Sequence, residues 1–243
     1  MGLVAILTLG FFLGMRHATD SDHVVAVATI VSREKSMRAA SLIGVLWGIG
    51  HTVTIVLVGG AIILFGIVFP AKVGLTMEFS VALMLVLLGT MNVIGFRKEV
   101  HRLRRDHLHS GHGSDEVAPA SEPESENAGW LGRYRGLRPL IVGTVHGLAG
   151  SAAVALLVLS TIRNPAWALF YLFVFGVGTV AGMMLITSAL AVPLAYSARR
   201  FSVWNHHIRW VTGIVSVALG LFLVYQIGFV DGLFSTAPPW IPR

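Results

Sequence analysis

Six long apolar stretches, separated by polar segments, dominate the chain. They lie near Leu3–Val31, Ala39–Phe69, Thr76–Phe96, Leu140–Ile162, Ala166–Tyr196 and Ile208–Val230. About 20 apolar residues let a helix cross a bilayer, so each stretch is long enough to be a span. A helix is also the one open-ended structure that satisfies its own backbone in lipid. The pattern therefore predicts an all-α polytopic membrane protein with six transmembrane helices. The first, second and fifth stretches are longer than a perpendicular crossing needs, which predicts tilt, a break or an overhang.

The first stretch is interrupted in its middle. Residues 16–23 read Arg16-His17-Ala18-Thr19-Asp20-Ser21-Asp22-His23, with apolar sequence on both sides. An ionisable side chain at bilayer depth costs roughly 2.5–3.5 kcal/mol on insertion scales, and such groups persist where they pair, face a cavity or bind something. In a regular helix His17, Asp20 and Ser21 share a face, because i+3 and i+4 are neighbours. His23 continues that face, but Asp22 points elsewhere. A break or unwinding between Gly14 and Asp22 is therefore expected. Two more imidazoles fall well inside apolar stretches: His51 in Gly48-Ile49-Gly50-His51-Thr52, and His146 in Val145-His146-Gly147. The neighbouring glycines allow close helix approach.

The two halves of the chain resemble each other. His17 to Gly50 (HATDSDHVVAVATIV … GIG) has a counterpart in His146 to Gly178 (HGLAGSAAVALLVLS … GVG). Each half holds three stretches. An odd number puts the second half into the membrane upside down relative to the first, the inverted-repeat design of many transporters, whose sites lie near the midplane. In this pairing His17 matches His146, Asp22 and His23 match Ser151 and Ala152, and His51 matches Thr179. Three regions follow: 1–96, a first three-helix repeat with the His/Asp motif; 97–138, a His-rich loop; and 139–243, a second three-helix repeat.

Composition agrees with a membrane protein. Hydrophobic residues make up 55% and charged residues 12%, against about 25% charged in soluble domains, and the mean hydropathy is +0.76. The net charge of +6 sits between the spans, so it sets topology and does not point to nucleic acid. Arg33, Lys35 and Arg38 follow the first stretch, a run from Arg97 to Arg138 follows the third, and Arg199, Arg200 and Arg209 flank the fifth and sixth. The opposite side holds Lys72, Arg163 and Arg243. The basic side should be cytoplasmic and both termini outside, in an inner (plasma) membrane. The start of the chain lacks a basic n-region and reads as a first span. The loop 97–138 carries His101, His107, His109 and His112 and then an acidic Pro/Ser run. It is expected to be largely disordered and able to hold metal weakly. Asn92 reads as an interhelical hydrogen-bonding residue.

The chain has no cysteine, which excludes disulfides and thiolate metal sites. His17, Asp20, Asp22, His23, His51 and His146 are the candidate metal ligands. Imidazole with carboxylate suits divalent first-row metals, and Ni(II) and Co(II) accept nitrogen-rich sites without thiolate. Asp20 or Asp22 can instead orient a ligating His. Three other readings of the same residues stay open: a structural pair between Asp20 and Arg16 or Arg163, a proton relay in a carrier of another substrate, and a membrane metalloenzyme. The last has little support beyond His206-His207.

At this point the motifs resemble a known family. Arg16-His17-Ala18-Thr19-Asp20-Ser21-Asp22-His23 is similar to the RHAxDxDH signature of the nickel/cobalt permeases, and Gly48-Ile49-Gly50-His51-Thr52 to their Gly-x-Gly-His-Ser/Thr element. The resemblance implies a permease, not an enzyme, with Ni(II) or Co(II) as the transported ion and no resident cofactor. It makes His17, Asp22 and His23 the essential metal-handling triad and His51 its neighbour. The larger members have eight spans and a later acidic motif. This chain has six stretches and Val145-His146-Gly147-Leu148-Ala149-Gly150-Ser151 there, which is similar to the short UreH-like branch associated with urease nickel supply. His146 is nominated by the repeat and its depth alone. Uptake is the expected direction. The partners so implied are the metal ion, the lipid bilayer and a metallochaperone or a urease or hydrogenase maturation protein. An accessory, metal-holding role is the alternative to transport.

Overall fold

The computed structural model describes residues 3–32, 34, 36–66, 70–109, 136–149, 162, 164–200 and 202–235, by backbone alone at 3, 96–109, 194–200 and 202–206. Every regular element among them is helical. In chain order they are α1 (Leu3–His17), α2 (Ser21–Val31), α3 (Met37–Phe65) and α4 (Ala71–His109). The helical stretch 136–149 follows as α5. Then come α6 (Pro165–Arg200) and α7 (Ser202–Tyr225), which passes into a π-helical turn at Gln226–Val230. Among the described residues four helical segments are long and apolar enough to cross a membrane: Met37–Phe65, Ala71–Gly95, Pro165–Pro193 and His207–Val230.

The first apolar stretch is divided. α1 and α2 hold 15 and 11 residues, or roughly 22 and 16 Å of helix, so neither alone matches a hydrocarbon core of about 30 Å. The interruption falls at residues 18–20, inside the interval where a break is expected. The fourth stretch is helical through 149, and residues 150–161 of it, including Ser151 and Ala152, lie outside the described residues, as does Arg163. One expectation changes. Residues 97–109, read above as the start of a disordered loop, continue α4 as helix to His109, and 136–138 already belong to α5. The heart of the His-rich segment, His112 included, lies outside the described residues.

Packing is by backbone approach at glycines. Without a hydrophobic drive between helices in lipid, small residues that let backbones meet supply the contact. α3 and α6 run antiparallel: Gly44 lies on Met183 and Thr187, Gly48 on Val180, and Gly176 on Thr52. Thr52 Oγ1 also donates to the Gly176 carbonyl at 3.0 Å. α4 and α7 are likewise antiparallel, with Gly89 on Gly213 and Gly220 on Val86. Ser216 on α7 donates to the Leu85 carbonyl at 2.8 Å. Asn92, 1% exposed, donates to the Arg209 carbonyl and to Thr212 and Ser32, the interhelical role its sequence position suggested.

Two further helix pairs run parallel, and they make corresponding contacts. On α1 and α6, Gly14 meets the Phe175 carbonyl and Gly178 meets the Phe11 carbonyl. On α5 and α3, Gly143 meets the Trp47 carbonyl and Gly50 meets the Leu140 carbonyl. Large apolar side chains such as Leu57, Phe65, Leu87, Phe173 and Phe222 point outward, as a lipid-facing belt requires. At the end of α3, Gly66 takes φ 62° and its N–H bonds the Ile62 carbonyl, a left-handed cap that favours glycine.

These approaches leave no room for a Cβ. Gly143→Val should lower the apparent melting temperature of the detergent-solubilised protein, since overpacking costs about 1–3 kcal/mol. Gly136→Ala, where a Cβ meets nothing within 4 Å, should leave it unchanged. Equal behaviour of the two variants in thermal scanning would contradict the backbone-contact account.

Candidate metal centre

The interruption of the first stretch builds the site. Thr, Asp and Ser side chains compete for nearby backbone groups and so favour turns and helix starts over helix interiors. Here the Thr19 and Asp20 N–H groups donate to the Arg16 and His17 carbonyls at 2.8 and 3.1 Å, and Thr19 Oγ1 donates to the Arg16 carbonyl at 2.6 Å. α1 therefore closes in a tightened turn. Asp20 then turns extended, with φ −60° and ψ 146°, and α2 starts at Ser21. The charges suit the helix ends: Arg16 and His17 sit in the last turn of α1, and Asp22 in the first turn of α2, where the backbone dipoles favour cations and anions respectively.

The re-aimed chain brings four imidazoles and two carboxylates together. Asp20 does not cap α2 with its side chain. Its Oδ2 instead lies 2.9 Å from His17 Nδ1, where the sequence left a pairing with Arg16 or Arg163 open as an alternative; Arg163 lies outside the described residues. His17 Nε2 lies 3.0 Å from His51 Nε2. Asp22 joins two helices: Oδ1 is 3.2 Å from His23 Nδ1 and Oδ2 is 2.8 Å from His146 Nε2. The rings crowd, with centroids 4.2 Å apart for His23 and His146, 4.8 Å for His17 and His23, and 5.0 Å for His23 and His51. All six residues nominated from the sequence thus fall in one place.

Burial rises from one side of the cluster to the other. The Asp20 side chain is 53% exposed, that of Asp22 28% and that of His17 17%. His23, His51 and His146 are at 2%, 0% and 1%. Each of these three has one ring nitrogen with no hydrogen-bond partner among the described residues: Nε2 of His23, Nδ1 of His51 and Nδ1 of His146. A buried polar atom without a partner costs about 1–3 kcal/mol, so three in one cluster need an explanation, and an ion is one.

The donor atoms form two overlapping sets. His17, His23 and His51 make an all-nitrogen set, and Asp22, His23 and His146 a mixed one; within each, the ligand atoms lie within 4.8 Å of one another. His23 belongs to both. Metal–imidazole bonds of about 2.0–2.1 Å, the zinc value, hold neighbouring ligand nitrogens about 3 Å apart, close to the 3.0 Å between His17 and His51. The set contains no sulfur, in keeping with a chain free of cysteine.

Two aromatic residues that sequence reasoning passed over complete the walls. The Phe175 ring stands 5.6 Å from His17, and the Trp47 ring 5.5 Å from His146. The repeat carried a signal for both: Trp47 precedes Gly48-Ile49-Gly50 as Phe175 precedes Gly176-Val177-Gly178.

Comparison with known proteins agrees with these motifs. The family described as High-affinity nickel-transport protein matches residues 3–231, and the chain belongs to it. It is 38% identical over 237 residues to the Urease accessory protein UreH of Bacillus sp. (strain TB-90), covering 96% of each chain. It is also 25% and 24% identical to the chloroplast proteins FOR GROWTH AND FERTILITY 1 and 2 of Arabidopsis thaliana, covering 93% of this chain and 60% and 57% of theirs. No solved structure matches it.

Asp22 is the one acceptor shared by His23 and His146 among the described residues. Asp22→Ala should therefore destabilise the protein in the presence of a chelator by more than Asp22→Asn, which keeps one acceptor oxygen. The penalty for each stranded buried donor is about 1–3 kcal/mol. Asp20→Ala, at a half-exposed site, should have the smallest effect of the three. Thermal scanning of the purified variants orders them, and Asp20→Ala costing more than Asp22→Ala would refute the assignment.

Proposed function

We propose that this member of the nickel-transport family is a permease that carries Ni(II), or next to it Co(II), into the cell through the His/Asp cluster. The observation that carries the reading is the buried convergence of His17, Asp22, His23, His51 and His146, with three ring nitrogens that have no hydrogen-bond partner among the described residues. Asp20 stands at the exposed edge, where it orients His17. The ion reaches His17, His51 and His23 first, then passes to His23, His146 and Asp22 by exchange around the shared His23. A ladder of sites that differ by a ligand or two allows movement without full dehydration at each step. A negative-inside membrane favours inward movement by about 2.3 kcal/mol per charge per 100 mV.

The architecture proposed is six spans in two inverted three-helix repeats in an inner (plasma) membrane, termini outside. Three observations support it. α1 against α6 and α5 against α3 make corresponding glycine contacts. Those two pairs run parallel, while α3–α6 and α4–α7 run antiparallel, as an in-plane pseudo-two-fold demands. His17 and His146, matched in the repeat, meet in one cluster through Asp22 and His23.

Two further readings each have an observation behind them. The similarity to a protein named as a urease accessory factor favours delivery of nickel towards urease assembly, which the permease reading includes if the ion is handed to a maturation protein at the inner face. The hydrogen-bonded series Asp20–His17–His51 favours a proton relay serving another substrate.

Calorimetric titration of the purified protein with Ni(II) and Co(II), with residues 99–137 removed, separates them. Binding should be lost in His17→Ala/His23→Ala and weakened about 10–100-fold in Asp22→Asn, the range for groups that orient ligands. Equal binding in wild type and double variant would place the metal elsewhere. Absence of binding together with flux that persists in chelator would establish the relay.

A further inference from the structure

A cavity lies away from the cluster. It measures about 450 Å³ and is lined by Ile30, Glu34, Leu42, Leu46, Arg138 and Pro139 with their neighbours. These residues come from three helix ends that meet on one side: the end of α2, the start of α3 and the start of α5. On each helix a short distance separates cavity from cluster. Ile30 lies two turns beyond His23, Pro139 two turns before His146, and Leu46 between one and two turns before His51. At 1.5 Å per residue, two turns amount to about 10 Å. The cavity lies at the end of α2 and the starts of α3 and α5, the ends that the charge distribution along the sequence marks as cytoplasmic.

One apolar layer separates the two. Trp47 is fully buried and packs in a core cluster with Ala26, Val27, Ile30 and Val142. These residues lie between the His side chains and the cavity on α2, α3 and α5. Trp47 faces His146 on one side and sits one turn from Ile43, which lines the cavity. Its backbone is held against Gly143, while its indole Nε1 has no hydrogen-bond partner among the described residues. A buried indole N–H usually finds a partner, so this side chain has a hydrogen bond to gain by leaving its place.

Resting on the permease reading, we propose that the cavity is the inner vestibule of the transport route, with Trp47 the gate between cluster and vestibule. Glu34 is the carboxylate that first receives the divalent cation past the gate. Arg138, lining the same space, offsets the carboxylate charge, so the vestibule passes the ion on and does not hold it. The cluster keeps the high-affinity site, and the vestibule sets the rate of release.

The cysteine-free chain makes the test direct. Single cysteines are placed at Ala39, in the cavity, and at Val27, in the layer behind the gate, in full-length protein reconstituted in liposomes. Ala39→Cys should react with a membrane-impermeant maleimide applied from the cytoplasmic face, and the modification should block Ni(II) flux. Val27→Cys should be inert with Trp47 present and react at least tenfold faster in Trp47→Ala. Glu34→Gln should bind Ni(II) within twofold of wild type by calorimetry while its flux falls at least fivefold. Should Trp47→Ala fail to fold, the Ala39→Cys block and the Glu34→Gln split decide. Unreactive Ala39→Cys, an unchanged Glu34→Gln flux, or Val27→Cys equally inert in folded Trp47→Ala overturns the proposal while wild-type binding and flux leave the permease reading standing. Wild type that neither binds nor moves Ni(II) overturns both.

Discussion

The Asp22 carboxylate is the interaction on which the site depends. Its two oxygens hold His23 on α2 and His146 on α5, and so tie the first half of the chain to the second at the depth of the cluster. A carboxylate so placed loses much of its water, and the loss is offset only where hydrogen-bond donors surround it. The requirement explains the helix break. Without the extended Asp20 between α1 and α2, Asp22 would turn from the imidazoles and face apolar surroundings alone. The weak helix preferences of Thr19, Asp20 and Ser21 make that break inexpensive in local terms, and the start of α2 gives the carboxylate favourable backbone dipoles.

Much of this was legible in the residues. Ionisable groups inside an apolar stretch announce themselves because hydrocarbon gives them no solvation, and the periodicity argument about Asp22 was enough to require the break between Gly14 and Asp22. The depth of His51 and His146 within their stretches placed them at the same level. Less visible was the division of labour. Spacing put Asp20 among the candidate ligands, yet its carboxylate is the most exposed of the six and among the described residues pairs with His17, an outcome set by which way the chain turns at a single residue. The pairing of His146 with Asp22 is a contact across 124 positions, and nothing local encodes it.

The helical continuation through residues 97–109 escaped the pattern for a related reason. A hydrophobicity argument sees a helix where lipid demands it, and this segment is charged. Its alanine-poor, Arg- and His-rich sequence contains no Pro or Gly to stop a helix already formed, so α4 propagates, as helices do once nucleated. The apolar boundary near Phe96 marks where lipid should end, and the helix has no reason to end with it.

The proposed inverted repeat also gives a reason for the asymmetry of the chemistry. The glycine contacts are shared by both halves because close backbone approach is a requirement of the scaffold, and each half must meet it. The proposed ligands are not shared: Thr179 stands where the first half has His51, and only His146 keeps its match. A symmetric pair of full clusters would place two multi-imidazole sites in one core, each binding tightly and neither releasing. In the proposed arrangement the donors are concentrated on one side of the axis, with a single histidine lent by the other half through Asp22, which gives one candidate site whose two donor sets share His23. Any motion of the halves against each other then changes the mixed set, which spans them, more than the all-nitrogen set, which belongs to the first half. Such a coupling between ligand geometry and helix position is what moving an ion across a membrane requires.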